Sequence, residues 1–599
     1  MRPFTRLAKS IATAACVLLV WAAAQSAYAS TPPHDAIRWL RSDTAAFAQA
    51  RAQHRYVILY LEAVWCHWCH VIDEKTYGDA AVREEIAAHY VPLRIDQDLR
   101  PDLSNRYKDY GWPATIVFAP NGSEIIKRQG FIEPAGFLKL LRAIEADPSP
   151  ENAATVETSA PAQISAALAP ATRDDLIKRH RDTFDAQLGG LALEQKYLDR
   201  DSVEYALAHA GTDASEKVMA ITTLDAARAL FDPIWGGVYQ YSTFSDWKHP
   251  HYEKLAVVQA EYLRIYALAW AQFGRAEDKA AAGEIRRYID AFLRSPHDAF
   301  YVSQDADIKP GEHASAYFAL ADAGRRAQGV PRVDKHLYTL QNGLLIEALA
   351  GWAEVSGDAD ALHEAQHAAD WIIANRHLPG GGFRHDEQDA AGPYLGDTLA
   401  MGRAFLALYR ATAERAWLAR TGAALDFIET HFKSKQGYAS AQSSGPIAAT
   451  AQTAENIALA RYANLAARYT GKDAHRAVAR HALAYLAQSH VALESITEPG
   501  ILLADEEMAS DPVHLTVVGG KSDPSAKLLF AASQRLPGAY KRIEWWDQAE
   551  GALPHPDVSY PPVKRAAAFV CTENRCSLPI YKAEEIPVFL AESAKTATQ

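Results

Sequence analysis

Two cysteines three residues apart, Cys66 and Cys69, sit in the run Trp65-Cys66-His67-Trp68-Cys69-His70. The stretch Tyr56–Val64 before them reads as a buried strand, and the residues after them as a helix. A strand that gives way to a helix at this point leaves a thiol half exposed at a helix N-terminus. The partial positive charge there favours the thiolate, the reactive form of cysteine. Three chemistries fit Cys-x-x-Cys-His. One is dithiol–disulfide exchange. One is covalent haem attachment. One is zinc binding, with His67 or His70 joining the thiolates. A purely structural disulfide is the plain alternative.

The surroundings weigh these readings. Haem attachment usually asks for a distal ligand, often Met. Beyond the first residue, the methionines are Met219, Met401 and Met508, all far from the motif. Zinc asks for a further ligand from the same domain, and no second C-x-x-C or H-x-H lies nearby. Exchange is therefore the favoured reading, with no cofactor and no resident metal. His67 has a role in it, because a cationic imidazole beside a thiolate lowers its pKa and makes the disulfide more oxidising.

The elements that position the motif alternate. After Tyr56–Val64 come a helix over Val71–His89, a strand over Tyr90–Ile95 and a helix over Leu103–Tyr110. Then follow a strand over Ala114–Phe118, a short strand over Glu124–Lys127 and a helix over Pro134–Ile144. That order predicts an α/β layer fold. Pro113 directly precedes the third strand, an awkward place for proline unless its peptide bond is cis and makes a tight turn.

These features together resemble a known family. AVWCHWCH, RIDQD and YGWPATIVFAPNG look like a thioredoxin fold. CHWCH, GWP-x-T and Arg100-Pro101-Asp102 resemble the thioredoxin-like domain of the spermatogenesis-associated protein 20 family. The resemblance implies that Cys66 attacks and Cys69 resolves, that Pro113 is a cis-proline packed beside the pair, and that Trp65 shields it. One departure stands out. Tyr60 lies where typical thioredoxins keep a buried acid, and Glu62, on the same strand face, is the candidate substitute.

The rest of the chain sets the context. Arg2, Arg6 and Lys9, an apolar stretch from Ile11 to Ala24 and Ala27-Tyr28-Ala29 read as a signal peptide over residues 1–29. The expected location is therefore periplasmic or secreted. Removing those residues takes away three positive charges and moves the formal net charge from -12 to -15. An acidic chain without a basic block is a poor partner for nucleic acid. No later stretch is apolar enough for a membrane span. The expected partner is a protein thiol or disulfide.

The thioredoxin-like domain is expected over 30–146 and a Pro/Ala/Ser/Thr-rich linker over 147–173. An all-α (α/α) barrel is expected over 174–510, and a small α/β appendage with a tail over 511–599. The barrel reading rests on a repeat. QNGLLIEALAGWAEVSG, TLAMGRAFLALYRATAE and ENIALARYANLAARYTG begin at 341, 398 and 455, each followed at once by a second helix. Gly/aromatic return loops carry Tyr239, Tyr301, Phe383 and Tyr438. With Trp247 they are expected to ring one mouth suited to a sugar ligand. The polar candidates for that pocket are His249, His251, Glu253, Asp305, Asp307, His385, Asp397 and Glu455. The resemblance also covers WKHPHYEK, FYVSQDAD and HLTVVGGKSDP, and the family's helical part is similar to sugar epimerase and six-hairpin glycosidase barrels. Cys571 and Cys576 are expected to form a structural disulfide, a relay to Cys66 and Cys69 being the alternative.

Overall fold

The computed structural model describes residues 37–151, 165–442, 445–572 and 575–589. The expected signal peptide and residues 152–164 of the expected linker lie outside them. Among the described residues no helix is long and apolar enough to cross a membrane.

The N-terminal domain is a four-stranded sheet in the order β2-β1-β3-β4, built from β1 (Tyr56–Glu62), β2 (Tyr90–Asp96), β3 (Ala114–Phe118) and β4 (Glu124–Gln129). β1 runs parallel to β2 and antiparallel to β3. The two-residue period of β1 supplies both faces. Val57, Leu59 and Leu61 pack with Phe47 and Leu103 on one side, and Ile58 and Tyr60 pack with Ile72 and Phe137 on the other. Helices cover both faces, and each fully buried Val, Leu or Phe contributes roughly 1.5–3 kcal/mol.

The single helix expected over Val71–His89 is two, α1 (His67–Lys75) and α2 (Ala80–His89). Asp79 caps the second by accepting from the amides of Ala81 and Val82. Gly78 precedes it where a Cβ would overlap the Glu74 carbonyl.

The barrel closes on itself. Its inner helices are Arg200–His209, Ala256–Phe273, Thr339–Ser356, Leu395–Thr412, Thr453–Thr470 and Pro499–Ala509. Each packs on the next, and the last packs on the first. Outer helices pack behind them: Pro170–Asp182, Ala214–Ala227, Ala276–Tyr288, Ala359–Arg376, Arg415–His431 and Asp473–Leu486. The repeated segments are three of the inner helices. At each return loop, a polar side chain near the start of the inner helix takes the backbone of the loop. Asn342 accepts from the Phe300 amide and donates to its carbonyl, and Asn456 does the same for Tyr438. Gln259 holds Val238, and the Thr398 hydroxyl holds the Phe383 amide.

The inner helices carry charge into the core. Glu204 receives Arg264 and Arg461, each at 2.6 Å. Arg461 also reaches Glu507 at 2.6 Å, and Arg403 reaches Glu347 at 2.8 Å. Acids and arginines thus alternate around most of the ring.

A small α/β unit follows. Its sheet joins Val513–Val518, Lys541–Trp546, Ala567–Thr572 and Arg575–Cys576, with helix Pro524–Gln534 against it. Cys571 and Cys576 face each other in the register and are bridged.

Candidate functional site

Cys66 is the N-cap of α1, and its Sγ accepts a hydrogen bond from the Cys69 amide at 3.2 Å. The two cysteines are paired as a disulfide, with Cα atoms 5.2 Å apart. Both are buried, at 3% and 1% exposure, so the pair is not on an open surface. The Trp112–Pro113 bond is cis, and Pro113 is buried. Trp65 is buried as well, and its Nε1 donates to Asp98 at 2.7 Å. Burial pushes the Asp98 carboxyl up to about 6.

Neither residue of β1 acts as a free acid. The Tyr60 hydroxyl donates to the Cys69 carbonyl at 3.1 Å. Both oxygens of Glu62 are taken by Arg94, whose other side holds Asp73 at 2.7 Å. Glu62 is thus committed to an ion pair.

What lies against the motif is the barrel. The Nδ1 of His67 lies 2.9 and 3.0 Å from the two oxygens of Asp307, and the Nδ1 of His70 lies 3.1 Å from the same carboxylate. The amide of Gly311 donates to it at 2.8 Å. Burial raises the Asp307 carboxyl, but the hydrogen bonds from His67 and His70 outweigh it and hold the group down at about 2. His67 therefore turns its ring to Asp307, not to the Cys66 sulfur where the expected effect on the thiol would need it. Asp305, two residues earlier, is pushed up to about 6 by burial.

Glu253 comes from the barrel side too. Its Oε1 accepts from the His67 amide at 3.3 Å, in the first turn of α1. Its Oε2 has no hydrogen-bond partner in the protein, and the nearest ring nitrogen, Nδ1 of His251, is 3.9 Å away. Burial pushes Glu253 up to about 7; burial and the neighbouring His67 and His313 push His251 down to about 4. His385 closes the contact elsewhere, with its Nδ1 2.8 Å from Asp397 and its Nε2 2.7 Å from the Asp98 carbonyl.

The dithiol faces a cavity of about 310 Å³ lined by Trp65, Cys66, Trp68, Trp112, His251 and Glu253. Trp68, Trp112, His251 and Glu253 also line a wider cleft of about 1290 Å³. A third cavity, about 390 Å³, lies between the thioredoxin-like domain and the inner helices, with Trp65, Asp98, Gln341, Arg403 and Glu455 in its wall. Burial pushes Glu455 up to about 8.

The structure thus gathers His251, Glu253, Asp305 and Asp307 around the CHWCH motif, and His385 and Asp397 at another point of the same seam. Glu455 stands in the 390 Å³ cavity of that seam, but His249 and Trp247 are not gathered there. His249 is exposed and pairs with Asp246 at 3.0 Å. Trp247 is buried against Gly190, with its Nε1 donating to the Leu188 carbonyl. The expected convergence of Tyr239, Trp247, Tyr301, Phe383 and Tyr438 on one cavity is not found. Tyr239 packs with Trp235 and Phe318, Tyr301 packs against the barrel core, and Phe383 and Tyr438 are in it. The reason is the glycine turns: Gly237, Gly382 and Gly437 pass so close to Tyr288, Phe427 and Tyr485 that their loops press onto the helices. Sequence reasoning did not name Asp98, Trp112 and Gln341 as site residues, although they lie in RIDQD, in GWP-x-T and at the start of the first repeat segment.

Comparison with known proteins agrees with the thioredoxin-like domain. The family model "Thioredox_DsbH: Protein of unknown function, DUF255" matches residues 20–162. Spermatogenesis-associated protein 20 of Homo sapiens is 22% identical over 321 residues, 48% of this chain and 41% of that protein. The chain is thus similar to the proteins its motifs resemble, and the match spans less than half of their length. "Thiol:disulfide interchange protein DsbD 1" of Pseudomonas aeruginosa is 33% identical over 122 residues, 18% of this chain and 20% of that protein. Among solved structures, cellobiose 2-epimerase from Bacillus thermoamylovorans is similar with a TM-score of 0.42 and 11% identity, over 53% of this chain and 86% of that one. The chain is a thioredoxin-like domain joined to a closed ring of paired helices.

Proposed function

We propose that this is a thiol–disulfide oxidoreductase of the periplasm or the secreted compartment, whose Cys66–Cys69 dithiol works inside a cleft that the barrel encloses. The observation that carries the reading is the position of Cys66. It caps α1 at the wall of the 310 Å³ cavity, with the Cys69 amide on its sulfur. In the reducing direction the Cys66 thiolate attacks a substrate disulfide. A Cys66–substrate bond forms, and one substrate thiolate leaves and takes a proton from water. Cys69 then loses its proton and attacks the Cys66 sulfur. The Cys66–Cys69 bond forms, and the second substrate thiolate leaves and is protonated. Two electrons pass from the dithiol to the substrate, and oxidation runs the same steps backward. The enclosure favours an extended or small disulfide over one on a folded surface.

The test uses the reduced full-length chain and a short peptide closed by one disulfide. Cys69→Ser should accumulate a mixed disulfide with the peptide, and Cys66→Ser should not. No peptide reduction by the wild type and no trapped adduct in Cys69→Ser would sink the reading.

A second reading is a sugar-handling barrel with the thioredoxin-like part as accessory. The 390 Å³ cavity favours it: Trp65 and Trp112 line it, and Gln341 Oε1 and Glu455 Oε2 are buried without a protein partner. Calorimetric titration with neutral mono- and disaccharides tests it, with binding lost in Glu455→Gln as the expected result.

A further inference from the structure

We propose that His70, Asp305 and Asp307 form a binding site for a first-row divalent cation such as Zn²⁺ or Mn²⁺ at the seam between the two domains. The three side chains place one ligand atom each within 4.8 Å of one another. Nδ1 of His70 lies 3.1 Å from Asp307, and its Nε2 lies 3.8 Å from Asp305. Both aspartates are buried, at 5% and 4% exposure.

Charge accounting separates this cluster from an ordinary ion pair. Several buried carboxylates elsewhere in the chain face fixed cations, Glu204 with two arginines and Asp232 with Lys254 and Arg325, while Asp397 stands singly on His385. Asp305 and Asp307 are ion-paired only with histidines among the described residues, and those can be neutral. Glu253 adds a third buried carboxyl nearby, with one oxygen on the His67 amide and the other unpartnered. A buried group of this sign is held either by protons on the imidazoles or by a metal.

The loop is built to present the two acids. The Asp307 amide donates to Asp305 Oδ1 at 2.9 Å, and Gly311 and His67 hold the Asp307 carboxylate from outside. Such outer contacts are what orient metal-binding carboxylates. One imidazole and two carboxylates suit Zn²⁺ or Mn²⁺, and three protein ligands leave a position open. Asp307 also lines the 1290 Å³ cleft, so that position would face it. The motif supplies only His70: the two aspartates come from the barrel, 235 and 237 residues further along the chain.

The experiment is titration of the chelator-treated, oxidised full-length chain with Zn²⁺ and with Mn²⁺ by calorimetry, alongside Co²⁺ absorption spectra. The expected result is one cation per chain for at least one of the metals. Its affinity should fall tenfold or more in Asp307→Asn and in His70→Gln, and persist when both Cys66 and Cys69 are serine. Co²⁺ should show d–d bands without a sulfur charge-transfer band. This spectrum is read on wild type and stays decisive if a variant does not fold. Stoichiometric binding by neither metal would overturn the proposal and leave protons as the counter-charge. So would binding that needs the cysteines. So would binding lost in Glu85→Gln, at the more exposed Glu85, His89 and Glu145 cluster, and kept in Asp307→Asn.

Discussion

The Nε2 of His385 lies 2.7 Å from the carbonyl oxygen of Asp98. One is a barrel residue, 0% exposed, and the other stands in the loop after β2, so this contact ties the two domains through backbone. Its other nitrogen is on Asp397, which is equally buried. His385→Ala should therefore cost about 3 kcal/mol or more, because it strands a buried carboxylate. It should also speed alkylation of reduced Cys66 by loosening the enclosure. Melting temperature and iodoacetamide kinetics check both.

Stability near neutral pH should carry the signature of Glu455. Burial pushes this carboxyl up to about 8, against about 4.3 in the unfolded chain. Between those values the folded chain holds a proton that the unfolded chain has released. The stabilisation is complete below about pH 4 and is lost as pH rises towards 8, by at most ~1.4 kcal/mol per unit. Unfolding by denaturant across that window should show a shallower pH slope in Glu455→Gln than in wild type.

The charged ring of the barrel predicts a large asymmetry between its members. Glu204 answers two half-buried arginines, Arg264 and Arg461, so Glu204→Ala removes a shared partner from both. Arg461 keeps Glu507 while Arg264 loses its 2.6 Å partner, so a loss of about 3 kcal/mol is expected. Replacing an exposed acid such as Glu277, which makes no such pair, should change stability by no more than ~0.5 kcal/mol.

Helix packing supplies a steric test. A Cβ at Gly343 would lie 2.8 Å from both the carbonyl carbon and the Cβ of Ala400 on the next inner helix. Gly343→Ala should lower stability by about 1–3 kcal/mol through overpacking, although alanine is the better helix former. Thermal unfolding decides whether crowding or propensity wins.

The thioredoxin-like domain was readable because each strand faces two apolar layers, so Tyr56–Glu62 and Ala114–Phe118 show as unbroken runs. The break at Gly78 was hidden because residues on both sides keep a helical pattern. The barrel repeat was readable from its length. The role of Glu347, Glu354, Arg403 and Arg410 was not, since charges seven apart on a helix look like a solvated face when they line an axis. The approach of Asp305 and Asp307 to His67 and His70 depends on how two domains dock, and no local pattern carries that. The aromatics were misplaced for a related reason: a Gly/aromatic turn reads alike whether its ring faces a ligand or a neighbouring helix.

The ion pair between Arg461 and Glu204 also sets an order of assembly. The partners are 257 residues apart, on the fifth and the first inner helices. During synthesis the first inner helix exists long before the arginine that completes its environment, and Glu507 follows later still. Intermediates that end before the fifth hairpin are open arcs in which Glu204 meets only Arg264 of its two arginines. The ring becomes a cooperative unit only when its last helices arrive, so the C-terminal part of the chain decides when the whole barrel is finished.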